Sequence, residues 1–152
     1  MYRTLIQMNP QDRFVSDHRS LKSLAAELRA AIDQKPPALT EKLAGFQKTV
    51  QAHFRREDIY YRILDNDKRV ADRGLIHQLR NDHAAVIFTL ESLAIRLRKN
   101  GVNSDWRGRF DTLMKVFLPH LDLEEKALFP IGRETLTQQE LKMIEEQINL
   151  CG

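Results

Sequence analysis

His120-Leu121-Asp122-Leu123-Glu124-Glu125-Lys126-Ala127-Leu128-Phe129-Pro130 decides how the chain is read, because it sets an imidazole and a carboxylate where an amphipathic helix should carry only apolar side chains. Phe110, Leu113, Phe117, His120, Glu124, Leu128 and Ile131 follow a three-four spacing, so they lie along one face of one helix. At about 100° per residue Glu124 is offset from His120 by about 40°, whereas Glu125 is offset by about 140°. Glu124 is therefore the better candidate to face inward with His120. The choice between the two carboxylates rests on that phase alone.

Three further long helices precede this one. Asn9-Pro10-Gln11-Asp12 reads as a helix start, with Asn9 as cap and Pro10 in the first helical position. Phe14, His18, Leu21, Ala25, Leu28 and Ile32 then form an inward stripe over about residues 10–34, and Lys35-Pro36-Pro37 is expected to end it. Thr40-Glu41 suggests the cap of a second helix, with Leu43, Phe46, Val50, His53, Glu57, Tyr61 and Leu64 inward. A polar break at Asp65-Asn66-Asp67-Lys68 follows. The third helix, about 72–99, faces Leu79, His83, Ile87, Leu90, Ala94 and Leu97 inward and closes at Asn100-Gly101 through a left-handed glycine. Asn103-Ser104-Asp105 starts the fourth, which carries Pro119 in its interior; a proline there removes a backbone donor, and the resulting distortion either aims His120 at a ligand or is a tolerated kink. Thr137-Gln138-Gln139-Glu140 matches a capping box and predicts a shorter fifth helix over 138–150. Long helices with short connections predict an all-α, antiparallel up-down four-helix bundle with a short C-terminal helix.

At 152 residues the chain fits a single domain with a core of its own. Its one cysteine, Cys151, excludes an intrachain disulfide and a cysteine-based metal site, and points to a reducing compartment. Met1 to Met8 are too short and polar for a signal segment, and no run approaches the ~20 apolar residues of a membrane span, so a soluble cytoplasmic protein is expected. The net charge of +3 arises from 24 Lys and Arg interleaved with 21 Asp and Glu. Arg55-Arg56 and Lys68-Arg69 read as solvated helix surface rather than a nucleic-acid contact.

The chain contains an internal echo. Asp17-His18 is followed 35 positions later by His53-Phe54-Arg55-Arg56-Glu57-Asp58, and Asp82-His83 is followed 37 positions later by His120-Leu121-Asp122-Leu123-Glu124-Glu125. Each half supplies one His from its first helix and a His-x3-Glu pair from its second. In an antiparallel bundle His18, His53, Glu57, His83, His120 and Glu124 converge at similar depth, giving four imidazoles and two carboxylates. One such His alone reads as a hydrogen-bonded core residue. Burying all six together costs several kcal/mol per charge unless a cation, protonation or pairing offsets it. The donor set suits two iron, manganese or zinc ions.

On Asp17-His18, His53-x3-Glu57, Asp82-His83, His120-x3-Glu124 and Glu-Glu-Lys-Ala-Leu-Phe-Pro at 124–130, the chain resembles the hemerythrin-like, or HHE cation-binding, domains over about residues 10–132. The resemblance implies a non-haem di-iron centre with oxo or hydroxo and carboxylate bridges. It implies His18 and His53 on one iron, His83 and His120 on the other, and Glu57 and Glu124 between them. The oxygen-carrying members have a further His one turn before His83, where Leu79 stands here, and their last carboxylate, commonly Asp, follows the His of the fourth helix by five positions rather than four. His77, six residues before His83, lies on the opposite side of the helix and does not substitute. With four His, both irons would keep open positions. The pattern is similar to the bacterial branch that includes iron-sulfur repair and nitric-oxide-handling proteins, which often carry an extra Cys-containing N-terminal domain.

Three functions follow as expectations. The first is a di-iron protein that binds, senses or reduces a small diatomic ligand, oxygen or nitric oxide, supplied by an unidentified electron donor, with Tyr61 either a hydrogen-bond partner of the centre or a packing residue. The second is a regulatory bundle whose docking to a protein partner depends on metal or redox state. The apolar stripe Leu141, Met143, Ile144, Ile148 and Leu150 of the fifth helix would serve docking or dimerisation, or would pack on its own bundle, so monomer and homodimer both stay open. The third is iron storage, which two metals per chain serve poorly. No Ser or Cys has a matched base for nucleophilic catalysis, and no Gly-rich phosphate loop is present.

Overall fold

The computed structural model describes residues 9–34 and 36–151. The readings of Met1 to Met8, Lys35 and Gly152 lie outside the described residues. The helices are α1 (Pro10–Ala31), α2 (Pro36–Asp65), α3 (Arg73–Asn100), α4 (Ser104–Leu123), α5 (Phe129–Thr135) and α6 (Gln138–Leu150), with a π-helical turn, Glu124–Leu128, joining α4 to α5 into one long helix. No strand occurs among the described residues, and no helix there is long and apolar enough to cross a membrane.

The helix starts follow their caps. Asn9 accepts from the Asp12 N–H with Pro10 directly behind it, Asp72 accepts from Leu75 and Asn103 from Trp106. Thr137 and Glu140 make the reciprocal capping box of α6. Gly101 closes α3 at φ 65° and ψ −165°, a positive-φ, extended-ψ conformation that glycine adopts freely, rather than the left-handed helical one expected. Two expected boundaries differ. The first helix stops at Ala31 rather than near residue 34, and the second starts at Pro36 rather than at Thr40. Pro36 and Pro37 open α2 because a first-turn residue has no intrahelical partner for its N–H, so a proline loses nothing there.

Successive helices run antiparallel. Gln11 meets Tyr60 while Asp17 meets His53, Asp65 meets His77 while Asp58 meets His83, and Lys22 meets Asp122 while Arg29 meets Asp111, which closes α1 against the α4 side. Leu21, Leu28, Phe46, Val50, Leu90, Trp106, Phe110 and Phe117 belong to one apolar cluster. Phe14, Tyr60, Tyr61, Leu79, Leu128 and Phe129 belong to a second, at the other end of the bundle. Trp106 is wholly buried and donates its indole N–H to the Leu93 carbonyl at 3.0 Å. Helix α6 contributes Leu141, Ile144 and Ile148 to the second cluster, and Arg13–Glu145 at 2.7 Å pins it to α1.

The inward stripes of α1 and α2 are buried as the spacing predicts. On α3, Val86 and Leu93 fill the core while Ile87 and Ala94 are only partly buried. Both sets keep a three-four spacing about His83, Leu90 and Leu97, and the observed one turns Ile87 toward a groove between α2 and α3. The break in helical geometry comes at Glu124–Leu128, not at Pro119, through which α4 continues. Pro130 explains its place: it has no N–H for the Lys126 carbonyl and its ring crowds that carbonyl, so the preceding turn widens. The extra residue turns Phe129 and Gly132 into the core and leaves Ile131 partly buried, one position from the expected phase.

Candidate metal centre

The polar belt lies where the two apolar clusters meet. His18 falls between Phe14 and Leu21, His53 and Glu57 between Val50 and Tyr60, His83 between Leu79 and Val86, and His120 and Glu124 between Phe117 and Leu128. All six candidate residues are buried, both glutamates completely. Their placement follows from helix phase, since an i,i+4 pair shares a face. His53 Nε2 lies 2.9 Å from Glu57 Oε1, and His120 Nε2 lies 2.9 Å from Glu124 Oε1.

The pairs from the two halves interlock. His83 Nε2 lies 3.3 Å from Glu57 Oε1, while His18 Nε2 lies 3.4 Å from Glu57 Oε2 and 3.5 Å from Glu124 Oε1. Two overlapping groups result, His18, His53, Glu57 and Glu124 in one, and Glu57, His83, His120 and Glu124 in the other. Within each, one ligand atom per residue lies within 4.8 Å of all the others. Glu57 and Glu124 belong to both. Glu125 does not enter the cluster: its Oε1 lies 3.5 Å from His18 Nδ1, on the far edge of that ring. His77 is exposed and meets Asp65 at 3.2 Å.

Each imidazole is met on its outer edge by a carboxylate of a neighbouring helix. His53 Nδ1 bonds Asp17 at 3.0 Å, His83 Nδ1 bonds Asp58 at 3.1 Å, and His120 Nδ1 bonds Asp82 at 3.2 Å. With Glu125 beside His18, the contacts run in a ring from α1 to α2, α2 to α3, α3 to α4, and from the π turn back to α1. A carboxylate on Nδ1 fixes the ring and leaves Nε2 aimed at the centre. The sequence reading missed all four carboxylates as orienting groups, although each is adjacent in sequence to a candidate ligand: Asp17-His18, Glu57-Asp58, Asp82-His83 and Glu124-Glu125.

Tyr61 enters the cluster itself. Its hydroxyl donates to Glu124 Oε2 and lies 3.2 Å from His83 Nε2, with the phenol ring stacked on the imidazole at 4.9 Å. Phe54 stacks on the other side of His83 at 3.7 Å, and Phe129 covers His18 at 5.8 Å. Tyr60, next in sequence, faces away: its oxygen accepts from Gln11 Nε2 at 2.9 Å. That oxygen occupies space a side chain at Gly132 would need, since a Cβ there would fall 1.7 Å from it.

Electrostatics separate the two carboxylates. Burial opposes ionisation of Glu57, but the charge of His53 and the close imidazoles of His18, His53 and His83 hold its carboxyl well below the usual range. Burial and the facing Glu57 charge push Glu124 up instead. Burial disfavours the charged ring of His53, yet Glu57 and Asp17 outweigh it and raise its pKa to about 10. Asp58 and Glu57 do the same for His83 against its burial, raising it to about 9.

The residues fit a cation pair. His53 Nε2, His120 Nε2, Glu57 Oε1 and Glu124 Oε1 are buried without a hydrogen-bond partner, although each lies within 3 Å of another of the four. Such contacts are costly between bare polar atoms and ordinary between donors that share an ion. Four imidazole nitrogens and two carboxylates shared between two groups, inside an up-down bundle, define a cation-binding helical domain. The chain matches the Hemerythrin HHE cation binding domain over residues 9–131, and it belongs to that family. Comparisons with curated proteins and with solved structures give no match.

Proposed function

We propose that this chain is a non-haem di-iron protein that binds a small diatomic ligand, oxygen or nitric oxide, and senses or reduces it. The observation that carries the reading is the sharing of Glu57 and Glu124 by two buried donor groups. His18 and His53 would hold one ion and His83 and His120 the other, with both carboxylates between them. Manganese and zinc suit the same donors and are the substitutes to exclude. Bound there, an iron pair supplies one-electron chemistry and open coordination positions for the ligand.

The chain's own residues do the rest. Asp17, Asp58 and Asp82 hold three rings by Nδ1, so that Nε2 of each is presented without a proton when a cation takes its place. Phe14, Phe54 and Phe129 pack beside the imidazoles and keep bulk water from the centre. His83, the least covered of the four, lines with Phe54 and Asp58 a groove of about 820 Å³ between α2 and α3, and the ligand or an electron donor approaches there. A cytoplasmic, reducing setting accompanies this reading, supported by the single cysteine.

Nitric oxide added to the anaerobic, iron-loaded, reduced protein is the test: nitrosyl absorption is expected, and an unchanged spectrum at full iron content would overturn the reading. A second reading, a regulatory bundle whose docking follows metal or redox state, draws on Phe88, which is 72% exposed beside the same groove. It requires the light-scattering mass to change between metal-free and loaded protein, and Phe88→Glu to abolish that change.

A further inference from the structure

Tyr61 touches two of the six candidate ligands at once. Its Oη contacts Glu124 Oε2 and lies 3.2 Å from His83 Nε2. That nitrogen is the one aimed at the centre, because His83 Nδ1 is committed to Asp58. Metal bonds of about 2.1 Å meeting near right angles put neighbouring donors about 3 Å apart. The other donor pairs of the cluster lie 2.9 to 3.5 Å apart. The Tyr61–His83 pair falls inside that range.

The two halves of the bundle are unlike here. Phe129 covers His18 as Tyr61 covers His83, but Phe129 carries no oxygen. By spacing from the glutamates, the counterpart of Tyr61, four residues after Glu57, is Leu128, four after Glu124. Among the described residues only the His83–His120 side has a phenol, and it is the side where Leu79 stands one turn before His83.

Resting on the di-iron reading, we infer that Tyr61 is a direct phenolate ligand of the ferric ion held by His83 and His120. The Fe–O bond forms as the phenol O–H bond breaks, and the proton passes to solvent. Each of the two iron(II) ions gives one electron to dioxygen, which takes up two protons from solvent and leaves as hydrogen peroxide. The two metal positions are therefore inequivalent.

The experiment loads the full chain with ferrous iron anaerobically, admits air, and records iron content, visible absorption and resonance Raman spectra. A visible phenolate-to-iron(III) charge-transfer band with enhanced tyrosinate ring modes is expected. Tyr61→Phe should abolish both at unchanged iron content, and Tyr60→Phe should keep them. Wild-type protein grown on ring-deuterated tyrosine should shift the modes, which tests the assignment even where Tyr61→Phe does not fold. Two irons without tyrosinate modes, or modes that survive Tyr61→Phe, overturn the inference and leave the di-iron reading standing. Absence of bound iron overturns both.

Discussion

At the level of single residues, the cluster is a contest between protons and cations for the same nitrogens. His53 and His83, raised to about 10 and about 9, are charged at neutral pH in the metal-free fold, so cation uptake must expel protons. Affinity should rise with pH from 6 to 9 and uptake should acidify an unbuffered solution, both readable by titration calorimetry in buffers of different ionisation enthalpy. The metal-free stability runs the other way. A His raised in the fold stabilises fully below its unfolded value near 6.5 and loses that contribution as pH climbs through 9 to 10. Glu57, lowered in the fold, loses its contribution only as pH falls below the ordinary carboxylate range. The melting temperature of chelator-treated protein should therefore fall between pH 7 and 10, and a rise would contradict the cluster's electrostatics. His120→Ala or Glu57→Ala should release metal, whereas His77→Ala should retain it, since His77 is exposed on Asp65.

The six candidate ligands were legible in the sequence because the three-four spacing leaves little doubt about which face an i,i+4 pair shares. That Glu124 faces inward and Glu125 lies toward the flank was legible for the same reason, whereas the choice of ligand between them was not. Asp17, Asp58, Asp82 and Glu125 were not. Periodicity assigns them correctly to a flank, but it says nothing about the flank of a neighbouring helix, where their imidazole partners lie. Replacing Asp58 by Asn should weaken metal binding about 10–100-fold without unfolding the chain, a range typical of partners that orient ligands. Metal titration of the variant checks it.

Among the elements, the π turn is the one that reading a constant 3.6-residue period could not anticipate. Periodicity carries the fourth helix straight through Pro119 to Ile131, and a proline alone does not say whether a helix kinks, tolerates it or widens. Pro130 does the last, and the added residue brings Phe129 over His18 and Gly132 against Tyr60. Gly132→Ala must displace the Tyr60 hydroxyl and with it the bond from buried Gln11. A loss of about 1–3 kcal/mol in urea unfolding is expected, in keeping with overpacked cores. An unchanged midpoint would mean that Tyr60 swings aside freely. The early start of α2 was hidden by a related ambiguity, since a Pro-Pro pair ends one helix as readily as it opens the next.

For the molecule as a whole, the bundle and its order of helices were readable from caps, breaks and stripes. The packing partner of the fifth helix was not, because an apolar stripe is the same whether it meets its own bundle or another chain. Leu141, Ile144 and Ile148 meet the bundle, in the same cluster as Phe14, Tyr60 and Phe129. Ile148→Ala should cost about 2–5 kcal/mol by denaturation and leave the light-scattering mass unchanged. A change of mass at unchanged stability would instead make α6 an association surface. The belt of six donors divides the core between two apolar ends, and without a cation it pairs charges that water would solvate better.

The central claim is that this belt exists to hold two metal ions, and the metal-to-protein ratio by elemental mass spectrometry tests it most directly. Protein purified without chelators, or reconstituted with ferrous iron and desalted, should carry about two irons per chain, as two donor groups with shared carboxylates require. A ratio near zero after reconstitution would contradict the claim and leave a proton-linked bundle whose function lies in its partners.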